Sequence, residues 1–319
     1  MAQVNRVVSI SSAIAFVSVI FLVACGSGGS SQGATGGEVR VITSTSIVAA
    51  LVSEVGGEQV NVRALIGPGV DPHTFDLTTG DARAISDADV VLINGLGLDD
   101  FLIDDVEGIS DDVPVVIVTD GIELLEASGH EHEHAAGDDH DHGDIDPHVW
   151  QDPLRVKVMV DNIAGALADA DPERADQYRQ NAEAYKQTLD ETHAEIQALI
   201  DQIPVERRKL VTNHAAFAYF ADRYGLDIVG TVIPGTSSEA DPSAGEVAAL
   251  VELIRETGVS VIFTESLLDP RVAEQLAADA GVEVVHGLYS EQVGEPGSGA
   301  ETVHGMLLAN ARKISEALR

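Results

Sequence analysis

Positive charge is scarce in this chain: 18 Lys and Arg stand against 53 Asp and Glu, a formal net charge of −35 over 319 residues. So acidic a surface repels phosphate backbones and excludes nucleic acid as a partner. Cations are the natural guests of such a field. Cysteine occurs once, at Cys25, which excludes a disulfide framework within the chain. Aromatic residues make up only 4%, yet a hydrophobic content of 45% at this length suffices to bury a sizeable core. Beyond the N-terminus, no apolar run is long enough to span a bilayer.

The one long apolar run is Val7 to Val23, preceded by Arg6. At about 17 residues it is marginal for a membrane-spanning helix and well suited to a signal peptide. It ends in Leu22-Val23-Ala24-Cys25, which resembles the bacterial lipobox. That resemblance implies a lipoprotein signal peptide over residues 1–24 and lipidation of Cys25. An uncleaved membrane anchor is the competing reading. Residues 25–37, rich in Gly and Ser, then form a flexible tether. The expected product is an extracytoplasmic body anchored to the cell membrane through a lipidated cysteine.

From residue 38 onward, short β-branched runs alternate with helical patterns. Val39–Thr43, Val60–Ile66, Val90–Asn94 and Val115–Val118 read as strands, with helices over about 47–55 and 79–86. Leu210–Asn213, Asp227–Ile233, Val259–Thr264 and Val282–His286 repeat the rhythm in the second half. Between them Tyr178, Ala182, Tyr185, Leu189, Thr192 and Ile196 recur at alternating spacings of three and four, the stripe of one long amphipathic helix. Pro172 suits its first turn and Pro204 its end. Coiled-coil dimerisation competes as a use for this stripe, but its Thr and Ala make a weak seam. The predicted fold is α/β: two similar lobes with mostly parallel sheets, over 38–171 and 205–319, joined by one long linking helix over 172–204.

Six of the eleven histidines fall between His130 and His148, interleaved with Asp and Glu. Imidazole and carboxylate are the commonest nitrogen and oxygen ligands of divalent transition metals, so the segment points to metal handling. His130 to His134 formally matches the zinc-protease pattern HExxH. That motif needs a supported helix, and here Gly129 precedes it while no apolar stripe accompanies it. His130, His132, His134, His140 and His142 read instead as a solvated loop over 129–143, an accessory collector of metal.

The tripeptide Asp-Pro-His occurs twice, ending at His73 and at His148. Proline fixes its own φ and restricts the residue before it, so each histidine sits on a stiffened backbone. Each Asp is also placed to orient the ring of its neighbouring histidine. Loops at the carboxyl ends of parallel strands are where ligands gather, and His73 falls in one.

GPGVDPHTFD around His73, DPHVWQDP around His148 and TNHAAFAYFADRYGL around His214 resemble three signatures of one family. It is the zinc/manganese substrate-binding lipoproteins of bacterial ABC transporters, the cluster A-I or ZnuA-like family. The resemblance runs from about residue 38 to the C-terminus. Gln151, where many relatives carry an apolar residue, is a minor departure. The resemblance implies that His73, His148 and His214 ligate the metal through neutral ring nitrogens. It places a carboxylate fourth, in the loop reading Leu288 to Gly294; Glu291 is the candidate, with Glu265 as the substitute. It also implies a non-enzymatic, monomeric receptor that serves an ABC permease and its ATPase. Three imidazoles and one carboxylate favour Zn²⁺, since Mn²⁺ prefers more oxygens, and manganese-binding relatives generally carry Glu where this chain keeps His214. Mn²⁺ remains the alternative metal, and a zinc-dependent hydrolase or a surface adhesin the alternative role. With ordinary histidine pKa values, affinity is expected to fall below about pH 6.

Overall fold

Short runs of Val, Ile and Leu become parallel strands because helices cover both of their faces. The computed structural model describes residues 37–125, 145–238 and 240–319. In the N-terminal lobe the strands are β1 (Val39–Thr45), β2 (Val60–Ile66), β3 (Val90–Ile93) and β4 (Val115–Ile117). They pair in the order β2-β1-β3-β4, all parallel, with Val41 opposite both Val62 and Val90. Every residue of β3 is buried, as an apolar strand in the middle of such a sheet must be. α1 (Ser46–Gly56) carries the chain from β1 to β2; the Thr45 side chain caps it by accepting from the Val48 N–H, and Gly57 at φ 58° leads out of it. α2 (Thr79–Ser86) starts at a reciprocal capping box between Thr78 and Asp81.

α3 (Phe101–Ile109), between β3 and β4, is absent from the sequence-based element order. Asp104, Asp105 and Glu107 dilute its apolar pattern, and of its nine residues only Leu102 and Val106 are fully buried. A helix so thinly anchored leaves little periodic signal.

In the C-terminal lobe, β5 (Lys209–Thr212) pairs with β6 (Asp227–Thr231), and β7 (Val261–Glu265) with β8 (Glu283–Leu288). Both pairs are parallel. β5 and β7 lie side by side but are joined through side chains: Asn213 Oδ1 accepts the Glu265 N–H at 3.1 Å, and Glu265 Oε1 accepts the His214 N–H at 3.0 Å. α6 (Ala218–Tyr224), α7 (Ala244–Thr257) and α8 (Arg271–Ala280) complete the crossovers. A reciprocal capping box between Ser243 and Glu246 opens α7. α9 (Val303–Leu318) closes the chain.

Two helices cross between the lobes' cores. α4 (Pro153–Ala170) begins at the Asp152 cap, with Pro153 at its first position. α5 (Ala175–Ile200) follows and buries Tyr178, Ala182, Tyr185, Leu189, Thr192, Ile196 and Ile200. It is shorter at both ends than its periodic pattern suggests. Pro172–Arg174 forms a separate 3₁₀ turn, and the chain leaves the helix before Pro204, whose ring disfavours helical backbone in the residue preceding it. Its 26 residues make a rod of about 39 Å. The stripe packs on α1, α4 and α9, so the seam that a coiled-coil partner would need is filled by the chain itself. One apolar core therefore runs from Val90 and Leu92 in the N-terminal sheet, through Leu189 and Ile196, to Phe263 and Met306 in the C-terminal lobe. A smaller cluster covers the outer face of each lobe.

Leu189, fully buried at the middle of this shared core, is expected to be costly to truncate. Leu189→Ala should destabilise the metal-free protein by about 3 kcal/mol in urea unfolding, with Gln187→Ala on the exposed face within about 0.5 kcal/mol of wild type.

Candidate metal centre

Four loops bring the candidate ligands together, and in each the sequence stiffens the backbone before presenting the side chain. After β2, Gly69 at φ 83° turns the chain into Asp71, whose extended backbone is the conformation that Pro72 requires. Asp71 Oδ1 then accepts the His73 N–H at 3.0 Å and caps a short 3₁₀ turn over Pro72–Thr74. The Asp71 carboxylate thus holds the backbone of His73 and not its ring; its other oxygen accepts from the Ser238 hydroxyl.

The second Asp-Pro-His does both jobs. Asp146 Oδ1 accepts the His148 N–H at 2.9 Å and lies 2.6 Å from its Nδ1. Asn94 Nδ2 donates to the Pro147 carbonyl at 3.2 Å and ties this loop to the end of β3. His214 leaves the end of β5 and is held by Glu265, which accepts its backbone N–H and approaches its Nδ1 to 2.7 Å through the other oxygen. A carboxylate against Nδ1 keeps the ring proton there and leaves Nε2 with its lone pair. Glu265 thus stands against the Nδ1 side of His214 and is not among the four groups that come together.

Glu291 enters from the loop after β8. Its Oε1 lies 2.7 Å from His148 Nε2, 3.0 Å from His214 Nε2 and 3.8 Å from His73 Nε2. One ligand atom from each of His73, His148, His214 and Glu291 can be chosen so that all four lie within 4.8 Å of one another. A tetrahedral zinc centre with bonds of about 2.0–2.1 Å has ligand–ligand edges of about 3.3 Å, inside the spread of these distances. His73 Nε2, His148 Nε2 and Glu291 Oε2 are buried without a hydrogen-bond partner. Buried lone pairs without donors call for a ligand, and a cation is the ligand that accepts from all of them.

The site is strongly polarised. Burial alone would lower the His148 pKa, but the Glu291 and Asp146 carboxylates outweigh it and push the imidazole up to about 9. His214 is likewise raised well above its ordinary value, burial being overcome by Glu265 and Glu291. Burial opposes ionisation of Glu291 in turn, yet the neighbouring histidines hold its pKa well below the usual carboxylate range.

Several residues shape the site without being candidate ligands. Trp150 Nε1 donates to the Ser290 carbonyl at 2.7 Å, and Gln151 Nε2 lies 3.2 Å from the carbonyl oxygens of both Tyr289 and Ser290. Gln151 is thus more than a minor departure: with Trp150 it ties the His148 loop to the Glu291 loop. Asn310 on α9 grips Tyr289 from the other side, accepting its N–H and donating to its carbonyl. Of the remaining histidines, His193 contacts Tyr224, His286 contacts Thr264 and His304 contacts Tyr185, as expected of structural residues. Cys25 and His130, His132, His134, His140 and His142 lie outside the described residues.

The family model described as ZnuA, zinc-uptake complex component A, periplasmic, matches residues 41–317. The manganese-binding lipoprotein MntA of Halalkalibacterium halodurans is 33% identical over 92% of this chain and 94% of its own length. The manganese ABC transporter substrate-binding lipoprotein PsaA of Streptococcus mitis is 27% identical, over 96% of this chain and 97% of its own. The solved structure of the periplasmic zinc-binding protein TroA of Treponema pallidum superposes with a TM-score of 0.79 at 29% identity, covering 88% of this chain and 99% of that one. By its two-lobe fold and by the family match, the chain belongs to the ZnuA family of metal-binding ABC-transporter substrate-binding proteins, which are receptors and not enzymes.

Proposed function

We propose that this protein captures Zn²⁺ outside the cytoplasm and hands it to an ABC permease driven by its ATPase. The observation that carries this reading is the convergence of three imidazole nitrogens on one buried carboxylate oxygen. His73, His148, His214 and Glu291 make a four-ligand set of the kind that zinc accepts without added oxygens. Such a closed set leaves no position for a reactive water, as suits a carrier. The lipobox at Cys25 and the relatives named lipoproteins support a receptor tethered to the membrane through residues 25–37. No helix among the described residues is long and apolar enough to cross a membrane. The histidines of 129–143 would collect metal in the neighbourhood of the loop that carries His148.

Mn²⁺ is the second reading, favoured by two observations. The MntA and PsaA relatives are named for manganese. Glu291 Oε2 is also buried without a hydrogen-bond partner, so bidentate ligation would add a second oxygen.

Calorimetric titration of metal-free protein should show one tight Zn²⁺ site that survives deletion of residues 129–143. Loss of all tight binding on that deletion would overturn the assignment to His73, His148, His214 and Glu291. The geometry separates the two metals: Co²⁺ bound in place of the native ion should show the intense visible bands of a four-coordinate centre. Weak bands, those of a six-coordinate ion, would favour manganese.

The pKa shifts move the proton competition upward from the ordinary histidine range. The upward shifts of His148, to about 9, and of His214 make both imidazoles hold their protons more tightly than an ordinary histidine. Ligation needs them neutral, so affinity rises with pH up to those values, by about tenfold per pH unit for each proton displaced. Calorimetry at pH 7 in buffers of different ionisation heat should show more than one proton released per Zn²⁺. Three imidazoles at the ordinary value of about 6.5 would together release only about 0.7.

A further inference from the structure

The two lobes are tied across the site at two places that differ in exposure. On the His148 side the ties are buried: Trp150 and Gln151 donate to the backbone of the Glu291 loop, and the Tyr219 hydroxyl donates to the Asp146 carbonyl at 2.9 Å. On the His73 side the described residues show two, both at residues only partly buried or exposed. The Gly69 N–H donates to Gln292 Oε1 at 2.7 Å, and the Ser238 hydroxyl donates to Asp71 Oδ2. Gln292 is next to Glu291, and Asp71 holds the backbone N–H of His73, so each tie joins a ligand-bearing loop to the opposite lobe.

His73 also differs from the other three ligands. Its side chain keeps 10% of its surface exposed, against 0–1% for His148, His214 and Glu291. Of the three Nε2 atoms, its own lies farthest from Glu291 Oε1. Val70, in the same loop, is 42% exposed, an anchor too weak to hold the turn by apolar packing. Segments open locally where contacts are few and hydrogen bonds meet solvent.

Building on the reading of these four residues as the metal ligands, we propose that the Gly69–Thr74 turn carrying His73 is the gate of the site. Gln292 and Ser238 are its latches: positioning residues that set how often the gate opens and never touch the metal. Neither latch uses an atom of the four ligand side chains, so weakening them favours the open form of the metal-free and the metal-bound protein alike. Association and dissociation, each of which passes through the open form, then quicken by the same factor, and the equilibrium affinity stays put. Loss of a group that merely braces a ligand acts differently, since it raises the dissociation rate and weakens binding.

The test is stopped-flow kinetics on the full chain, with Zn²⁺ mixing for association and excess chelator for dissociation. Gln292→Leu and Ser238→Ala should each raise both rates about fivefold, and the double variant by about the product, with Kd within about twofold of wild type. Gln292→Glu keeps an acceptor for the Gly69 N–H and should restore near-wild-type rates. Trp150→Phe, which braces the Glu291 loop at the buried tie, should instead raise the dissociation rate and weaken binding. Rates in the double variant within twofold of wild type overturn the latch, as does a rise in dissociation alone. Absence of tight Zn²⁺ binding in the wild type would instead overturn the metal assignment itself, so the two failures are distinguishable. Melting of the metal-free variants checks that they fold, and Ser238→Ala, at a part-exposed position, tests the latch by itself should Gln292→Leu prove unstable.

Discussion

The centre depends on one interaction, the attraction between the buried Glu291 carboxylate and the imidazoles packed around it. Taking a carboxylate out of water is costly unless opposite charge compensates. Here the imidazoles of His148 and His214, each backed by a second carboxylate, lie within 3.0 Å of Glu291 Oε1, and their raised pKa values reflect that attraction. Metal and protons therefore compete for the same three nitrogens and the same oxygen. The pocket is preorganised for a cation whichever is present, so little conformational entropy is lost when the metal enters.

Holding those charges close requires loops from two lobes to stay in register, and the shared core supplies the frame. α5 buries its stripe against helices of both lobes, so the strand ends that launch His73, His214 and Glu291 stand on one continuous packed body. Close-packed interiors do not deform smoothly. Of the loops that carry the candidate ligands, the turn around His73 is the one whose ties across the site are exposed or part-buried. A long helix at the hinge and a light turn at the rim fit a receptor that keeps its shape while its cargo passes.

Much of the fold was legible because its signals are local. The period of α5, the capping box of Ser243 and Glu246, and the apolar runs of β1 to β3 reflect backbone preference and one-sided burial, which a single stretch of chain records. α3 was not legible, since its few buried residues leave no periodic stripe. Of the site, Asp-Pro-His at two positions pointed to stiffened histidines, and both are so held. The two Asp residues nonetheless play different parts, Asp71 gripping backbone and Asp146 gripping a ring as well. That difference depends on where each ring points, which the tripeptide does not encode.

From the residues alone came the acidic, cation-seeking character, the α/β rhythm, the long helix and the two histidines of Asp-Pro-His, while His214 came from resemblance. Resemblance added Glu291 as a candidate, with Glu265 beside it. The choice between those carboxylates was left to tertiary structure. Glu265 ends β7 beside β5, where the His214 backbone and Nδ1 claim both of its oxygens, while Glu291 reaches the Nε2 side of all three rings. The same holds for Gln151, Trp150 and Asn310, which fix the Glu291 loop from positions far away in sequence. Such roles come from juxtaposing distant segments, and so appear only once the chain has folded.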